Sequence, residues 1–397
     1  MSVDERALPA MPFEQRRLHA TPPVVQDLQA RCPIARVRTP VGDEAWMVTR
    51  HAEVRQLYGD PRLGRSHPDP EHAPRLTDSI LFGGASPNYE TEREDHPRMR
   101  ALLTPFFSAR RMRALQPWVE AQVDQLLDAM AASGPPLDLH EALSFPLPVL
   151  VICELLGVPY EDRDEFRVWT LGMGDIHDRE RATDSLGRLI SYMHGLVARK
   201  RAEPADDVIS GLCAAEGGAL EDDAVAQLAA VLLFAGHETT VVRIDTGALL
   251  LLGQPDEREA LLRDPSLVPA AVEEILRVSD TGEGGVPRWT REDIELAGET
   301  IRAGELVILN GGAANRDERV FACPAGFDIA RQPNPHLTFG YGPRFCLGAP
   351  LARIELQAVF ARLFQRFPTL RLAIPEDQLR VRRDLLTGGL TALPVTW

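Results

Sequence analysis

The sequence predicts a mainly helical protein with a small β region, and three stretches carry that expectation. Leu115, Val119, Val123, Leu126, Leu127 and Met130 recur mostly three or four residues apart, the spacing that lines apolar side chains along one helical face. The stretch from Glu221 to Leu252 contains no proline and is compatible with roughly eight or nine helical turns. By contrast, Ile294–Leu309 alternates apolar and polar residues around Gly298 and Gly304, the pattern of short strands joined by tight turns.

In chain order, Met1–Pro40 is rich in proline and reads mostly as an irregular lead-in. Ala45–Thr49 reads as a strand, and a short helix starting at His51 stops at Gly59-Asp60-Pro61, where proline cannot continue it. Arg62–Asn88 has no helical period and contains Gly83-Gly84; a loop of that length inside a compact enzyme is usually functional. Helix dominates after Pro97, with the first long one ending at Gly134-Pro135-Pro136 and another marked by Leu186, Leu189, Ile190, Met193 and Val197. Phe321–Phe339 is loop-rich, and Gly348–Phe367 returns to amphipathic helix. No linker divides the chain, so one domain over residues 1–397 is expected, with its β-rich part near 33–60 and 281–310.

Hydrophobic residues make up 44% and charged residues 25%, a balance that fits a globular enzyme and excludes extended disorder. The formal charge of −15 disfavours binding to nucleic acid or anionic lipid. Apolar runs such as Ala229–Ala235 are too short to cross a bilayer, and Met1–Ala10 has no apolar signal core, so a cytoplasmic protein is expected. The five cysteines include no C-x-x-C pair, which argues against a disulfide framework or a cysteine-rich zinc site. Cys153 reads as a core thiol; Cys346 does not.

Cys346 lies in Phe339-Gly340-Tyr341-Gly342-Pro343-Arg344-Phe345-Cys346-Leu347-Gly348, between a glycine-rich turn and the start of a helix. Glycines permit positive φ and close approach of the backbone to a flat ring. The following helix favours thiolate over thiol at its N-terminus. Such a sulfur could hold the metal of a planar cofactor and leave the opposite metal position open. A second constellation, Ala235-Gly236-His237-Glu238-Thr239-Thr240, interrupts the long helix with residues that disfavour helix, since glycine costs roughly 1 kcal/mol against alanine. The Thr239 hydroxyl can bond back to the Ala235 carbonyl, and Glu238 and Thr239, one residue apart, cannot share a helical face. A third, Glu273-Glu274-Ile275-Leu276-Arg277, sets Glu274 and Arg277 one turn apart on a face where they can pair.

These motifs together resemble the cytochrome P-450 monooxygenases of the soluble bacterial kind, over essentially the whole chain. The resemblance implies that fold, with haem b between a long central helix and a loop carrying Cys346 as the iron's thiolate ligand. Phe339, Gly340 and Gly348 belong to the haem-binding signature. His96, Arg100, Arg288 and Arg344 are the implied partners of the haem propionates. Glu238 and Thr239 match the acid–alcohol pair that delivers protons during dioxygen activation, with Thr239 at the oxygen and Glu238 towards a solvent relay. Glu274 and Arg277 match a buried structural pair, often joined by an arginine at the place where this chain has Gly326.

The implied reaction inserts one atom of dioxygen into an organic substrate. The chain has no nicotinamide-binding glycine motif and no iron–sulfur cysteines, so electrons from NAD(P)H must arrive through a ferredoxin and its reductase. Arg100, Arg110, Arg111, Arg113 and Arg344 are candidates for a locally basic docking face, and a monomer is expected. A haem-binding recruitment module without catalysis, or a peroxide-driven enzyme, would lack Glu238 and Thr239, which are present. The stretches Val37–Arg50, Pro287–Asn310 and Pro335–Gln357 resemble actinomycete enzymes that tailor macrolides and other polyketides; a terpenoid, fatty acid or xenobiotic substrate is the alternative. The expected pocket includes Leu233, Ala235, Gly236, Gly284 and Val286, with Gly282, Gly284 and Gly285 leaving room for a bulky ligand.

Overall fold

The computed structural model describes residues 8–14, 20–215, 220–279 and 284–397. In order, the elements are α1 (Pro23–Arg31), β1 (Ile34–Arg38), β2 (Glu44–Val48), α2 (His51–Tyr58), β3 (Leu63–Gly64), α3 (Glu92–Leu103), α4 (Ala109–Ser133), β4 (Leu137–Asp138) and α5 (Pro146–Leu156). Then come α6 (Arg163–Met173), α7 (Arg179–Ala202), α8 (Val208–Cys213), α9 (Asp222–Gly253), α10 (Pro255–Arg263) and α11 (Val268–Val278). The chain closes with β5 (Val286–Thr290), β6 (Ile294–Leu296), β7 (Glu299–Ile301), β8 (Leu306–Leu309), α12 (Gly311–Ala314), α13 (Ala349–Arg366), β9 (Arg371–Leu372) and β10 (Pro394–Thr396). It divides into two compact units: Met1–His96 with Leu276–Phe327 and Arg331–Cys346, and Pro97–Ile275 with Asp328–Ala330 and Leu347–Trp397.

The first unit is built on a five-stranded sheet of order β1-β2-β8-β5-β3. Its inner strand β8 reads Leu306-Val307-Ile308-Leu309 without a polar residue, because both faces are covered and all four side chains are fully buried. Alternation sends Val307 and Leu309 to one side with Trp46, Val48, Val54 and Leu57. Leu306 and Ile308 go to the other, with Met47, Trp289 and Val25. Val25 belongs to α1, so the lead-in is more ordered than its prolines suggested: α1 and β1 both lie within Met1–Pro40. Proline at the first turn is compatible with a helix, and tertiary packing of Val25 and Leu28 on the sheet supplies what the local sequence lacks. Arg62–Asn88 contains only the two-residue β3 and otherwise runs as loop. Gly83 closes it tightly, for a Cβ there would stand 2.3 Å from the Thr77 carbonyl oxygen.

The second unit is helical, with α9 packed on α5, α7 and α13. This 32-residue helix is long and apolar enough, by length and composition, to cross a membrane; yet 61% of its apolar window is buried inside the protein, which makes it a core helix. Gly247 permits close packing, since a Cβ would meet the Phe360 ring at 2.4 Å. The α4 helix starts on Ser108, whose hydroxyl accepts from the Arg111 N–H, and ends at Gly134 with φ +70°. A small sheet, β4-β10-β9, gathers the C-terminal strand.

Candidate active site

In the cysteine loop, Gly340 and Gly342 both take φ of +72°, the left-handed region that strains any residue with a Cβ. These turns fold the segment back so that the Cys346 N–H donates to the Phe339 carbonyl at 2.8 Å. The rings of Phe339 and Phe345 meet edge to face at 6.1 Å. Arg55 braces the outer turn, lying 4.5 Å over the Tyr341 ring and donating to its hydroxyl at 3.1 Å. Cys346 itself is exposed and in no disulfide, and Gly348 caps α13. Cys153 is the contrast: burial pushes its thiol up to about 12, which leaves it inert as a nucleophile or ligand.

The same unit concentrates arginines around one carboxylate. Glu92, at the start of α3, accepts from the backbone N–H groups of Arg65 at 2.7 Å and Ser66 at 3.2 Å, from the Ser66 hydroxyl, from Arg291 at 2.9 Å and from Arg344. Burial opposes ionisation, but these donors and the Arg344 charge outweigh it and hold the carboxyl at about 2. Arg65 and Arg288 have no carboxylate partner among the described residues. Arg65 donates to the carbonyls of Leu81 at 3.0 Å and Pro287 at 3.4 Å, and Arg288 to that of Pro287 at 2.9 Å. Burial, with repulsion from neighbouring guanidinium groups, pushes Arg65 down to about 9 and Arg288 down to about 10, despite the nearby Glu92. Four guanidinium groups against one carboxylate make a site suited to a doubly negative ligand, which is what the two propionates of a haem present. His96 and Arg100 stand one turn apart on α3, both half-buried. Arg65 carried no spacing signal in its loop, so the sequence did not single it out.

In the second unit, α9 turns one stripe outwards in its otherwise buried middle: Val231, Ala235 and Thr239 are exposed, each one turn from the next. The Thr239 hydroxyl donates to the Ala235 carbonyl at 2.9 Å, as the motif predicted. Glu238 points elsewhere. It is 6% exposed and its Oε1 lies 3.3 Å from His237 Nε2, so the carboxylate rests on an imidazole instead of opening towards solvent. Burial opposes its charge, but His237, Arg382 and His140 outweigh burial and hold it below the ordinary carboxylate range. Neither Arg382 nor His140 stands near Glu238 in sequence; His237 does, and its contact with an adjacent residue left no periodicity to read.

Glu274 and Arg277 are both fully buried, and each has backbone work in its own unit. Arg277 donates to the carbonyls of Asn315, Pro324 and Gly326 at 2.8–2.9 Å. Glu274 accepts from the Asp328 N–H at 3.0 Å. Gly326 thus contributes its carbonyl, and Arg331 bonds the carbonyls of Ala322, Cys323 and Gly326.

Several expected pocket positions are placed differently. Leu233 is fully buried on the face of His237, about half a turn from the open stripe, so it belongs to the core. Gly236 faces α5, where a Cβ would meet Ile152 at 2.5 Å; its small size serves helix packing. Gly285 likewise packs against Ile308 at 2.7 Å, and Val286 leans on the sheet core. Gly284 alone of these glycines faces open space, whereas Gly282 lies outside the described residues. Two of the arginines expected on a basic face carry carboxylates already: Arg111 binds Asp206 at 2.8 Å, and Arg344 binds Glu92.

Comparison with known proteins matches residues 179–380 to the cytochrome P450 family. The chain is 46% identical to pentalenolactone synthase of Streptomyces exfoliatus, over 98% of this chain and 99% of that protein. It is 42% identical to mycinamicin IV hydroxylase/epoxidase of Micromonospora griseorubida, over 94% of each. Among solved structures it is similar to substrate-free cytochrome P450 PimD, a polyene macrolide antibiotic pimaricin epoxidase, with TM-score 0.89 and 46% identity over 100% of both chains. The chain therefore belongs to the cytochrome P450 family, and its fold is the P450 fold. It is a haem-thiolate monooxygenase that uses haem b, dioxygen and electrons derived from NAD(P)H, brought by separate redox partners to act on a small molecule.

Proposed function

We propose that this monooxygenase hydroxylates or epoxidises a macrolide or related polyketide as a late tailoring step. The observation that carries the catalytic reading is the open α9 stripe, on which Thr239 is presented with its hydrogen already donated to Ala235 and its oxygen lone pairs available. When bound, the haem supplies the iron that activates dioxygen. Cys346 would be its protein ligand, Arg65, Arg288 and Arg344 with His96 and Arg100 would hold its propionates, and Phe339, Gly340 and Gly348 would shape the cysteine loop that receives it. Glu238 takes up a proton transiently at its carboxyl oxygen and relays it towards Thr239, whose Oγ1 accepts it and positions it for delivery.

The macrolide reading is supported by the likeness to the mycinamicin and pimaricin enzymes and by the open space at Gly284. A ferredoxin with its reductase is the proposed electron source, docking through the exposed Arg110 and Arg113; the protein is proposed to work as a cytoplasmic monomer. Titrating the ferric protein with macrolides and their precursors tests the substrate: a shift towards high spin at micromolar concentration, roughly 8 kcal/mol of binding, is expected. Efficient turnover of a terpenoid or fatty acid, with no binding or reaction across a broad macrolide panel, would overturn it.

A further inference from the structure

A line of three side chains, far apart in sequence, ties the C-terminal part of the chain to α9. His140 lies in the π-helical turn His140–Ser144 and Asp245 on α9, and both are buried. His140 Nδ1 stands 2.7 Å from Asp245 Oδ2, and its Nε2 stands 3.3 Å from a guanidinium nitrogen of Arg382. Arginine donates and cannot accept, so Nε2 takes a hydrogen from Arg382 and Nδ1 gives one to Asp245. A hydrogen on Nε2 would meet the Arg382 N–H head on. Asp245 Oδ1 has no hydrogen-bond partner among the described residues, and Arg382 makes no other side-chain hydrogen bond among them.

Arg382 opens a hairpin: its backbone N–H donates to the Gly389 carbonyl at 2.8 Å, and Val381 bridges Leu390. The hairpin reaches α9 at Gly389, where a Cβ would stand 2.8 Å from Val242. Its tip is paired with the turn between α6 and α7. There the Leu386 N–H donates to the Gly174 carbonyl at 2.8 Å, and the Ile176 N–H to the Asp384 carbonyl at 2.9 Å. That turn meets α9 at Phe234, 3.5 Å from the place a Cβ on Gly174 would take. Phe234 and Val242 stand on either side of Thr239 along α9, and Val242 falls within about 20° of Ala235 around the helix axis. Turn and hairpin therefore make one wall beside the open stripe that carries Ala235 and Thr239.

We propose that Asp245, His140 and Arg382 are positioning residues for the substrate: they pin this wall and so set the width of the space over Thr239. The proposal rests on the open α9 stripe being the face over which the substrate is oxidised. Two backbone hydrogen bonds hold turn and hairpin to one another. Arg382 then fixes the hairpin to α9 through His140 and Asp245. Because Asp245 orients the ring, the nitrogen that receives Arg382 has one direction to face. With the pin in place a bulky ligand must fit the space as it stands; with the pin broken the wall can yield.

The test is amide hydrogen exchange of the ferric holoenzyme, followed at Ile176 and Leu386. In His140→Leu, and equally in Arg382→Met at its half-buried position, both amides should exchange about tenfold faster, as for loss of one hydrogen bond, with amides of α13 unchanged. His140→Gln should keep the slow rate, because its amide can give an N–H to Asp245 and accept one from Arg382. Two iron-binding probes then read the pocket. Phenylimidazole, whose phenyl ring needs the wall to yield, should bind His140→Leu several-fold faster, and imidazole at its old rate. Unchanged exchange in both His140→Leu and Arg382→Met overturns the proposal, as does His140→Gln exchanging like His140→Leu. Phenylimidazole association that gains nothing, or gains no more than that of imidazole, overturns it too. If Thr239→Ala leaves coupling intact, the reaction lies off this stripe, and the proposal falls with the reading it rests on.

Discussion

Glu92 and Glu238 are both buried glutamates held below the ordinary carboxylate range, yet their surroundings differ in kind. Glu92 accepts from two backbone N–H groups, a hydroxyl and two arginines, none of which readily gives up a proton near neutral pH. Glu238 lies 3.3 Å from one imidazole nitrogen, that of His237, and among the described residues accepts no arginine hydrogen bond. Lowered proton affinity therefore does not by itself mark a catalytic acid. A carboxylate ringed by permanent donors is a fixed countercharge, which suits a region that must grip an anion. One with a single ring against it is held by fewer donors, which suits the proton delivery proposed for Glu238.

The sharpest way to break that contrast is to neutralise the fixed member. Glu92 falls from 4.5 to about 2 on folding, a difference on the order of 3 kcal/mol of stability. Because its proton affinity is lowered by folding, this contribution is complete above about pH 4.5 and is lost as pH falls through about 2. Denaturant unfolding of Glu92→Gln should show nearly the full deficit at pH 7 and a shrinking one in acid. A pH-independent deficit would mean that shape, not charge, made the difference.

Next in size is the anion grip itself. Arg65→Ala and Arg288→Ala should each speed haem transfer to apomyoglobin about tenfold, in line with loss of a charged hydrogen bond of about 1.5 kcal/mol, while the haem that remains keeps its carbon monoxide spectrum. Unchanged transfer from both variants would show that the excess positive charge serves another anion.

On the mobile side, Thr239→Ala should still bind substrate and accept electrons, with product per electron falling several-fold and hydrogen peroxide rising. Unchanged coupling would move proton delivery to another group or to the substrate. The smallest effect should come from Gly284→Phe, which fills open space without touching either carboxylate. Macrolide binding should weaken by about 1 kcal/mol, the carbon monoxide spectrum staying as it was. Undiminished affinity would take Gly284 out of the pocket.

The motifs were legible because they are local. The cysteine loop needed its glycines at positive φ, the Thr239–Ala235 bond is a single helical turn, and α9 announced itself by length and absence of proline. What the sequence hid depends on distant partners. Arg65 and Arg291 become significant only when Glu92, 27 or more residues away, is brought to them. Gly236, expected in the pocket, and Gly285, read as spare room, are tight packing against Ile152 and Ile308, a distinction that composition cannot make. The α1 helix was missed because its order comes from the sheet beneath it.

The account's central claim is that Cys346, and no other cysteine, holds the iron as a thiolate. The direct measurement is the absorption spectrum of the reduced protein under carbon monoxide, taken for the unaltered chain, Cys346→Ser and Cys153→Ser. The unaltered chain and Cys153→Ser should show the strongly red-shifted Soret band of sulfur ligation, and Cys346→Ser should lack it. A red-shifted band that persists in Cys346→Ser would contradict the account.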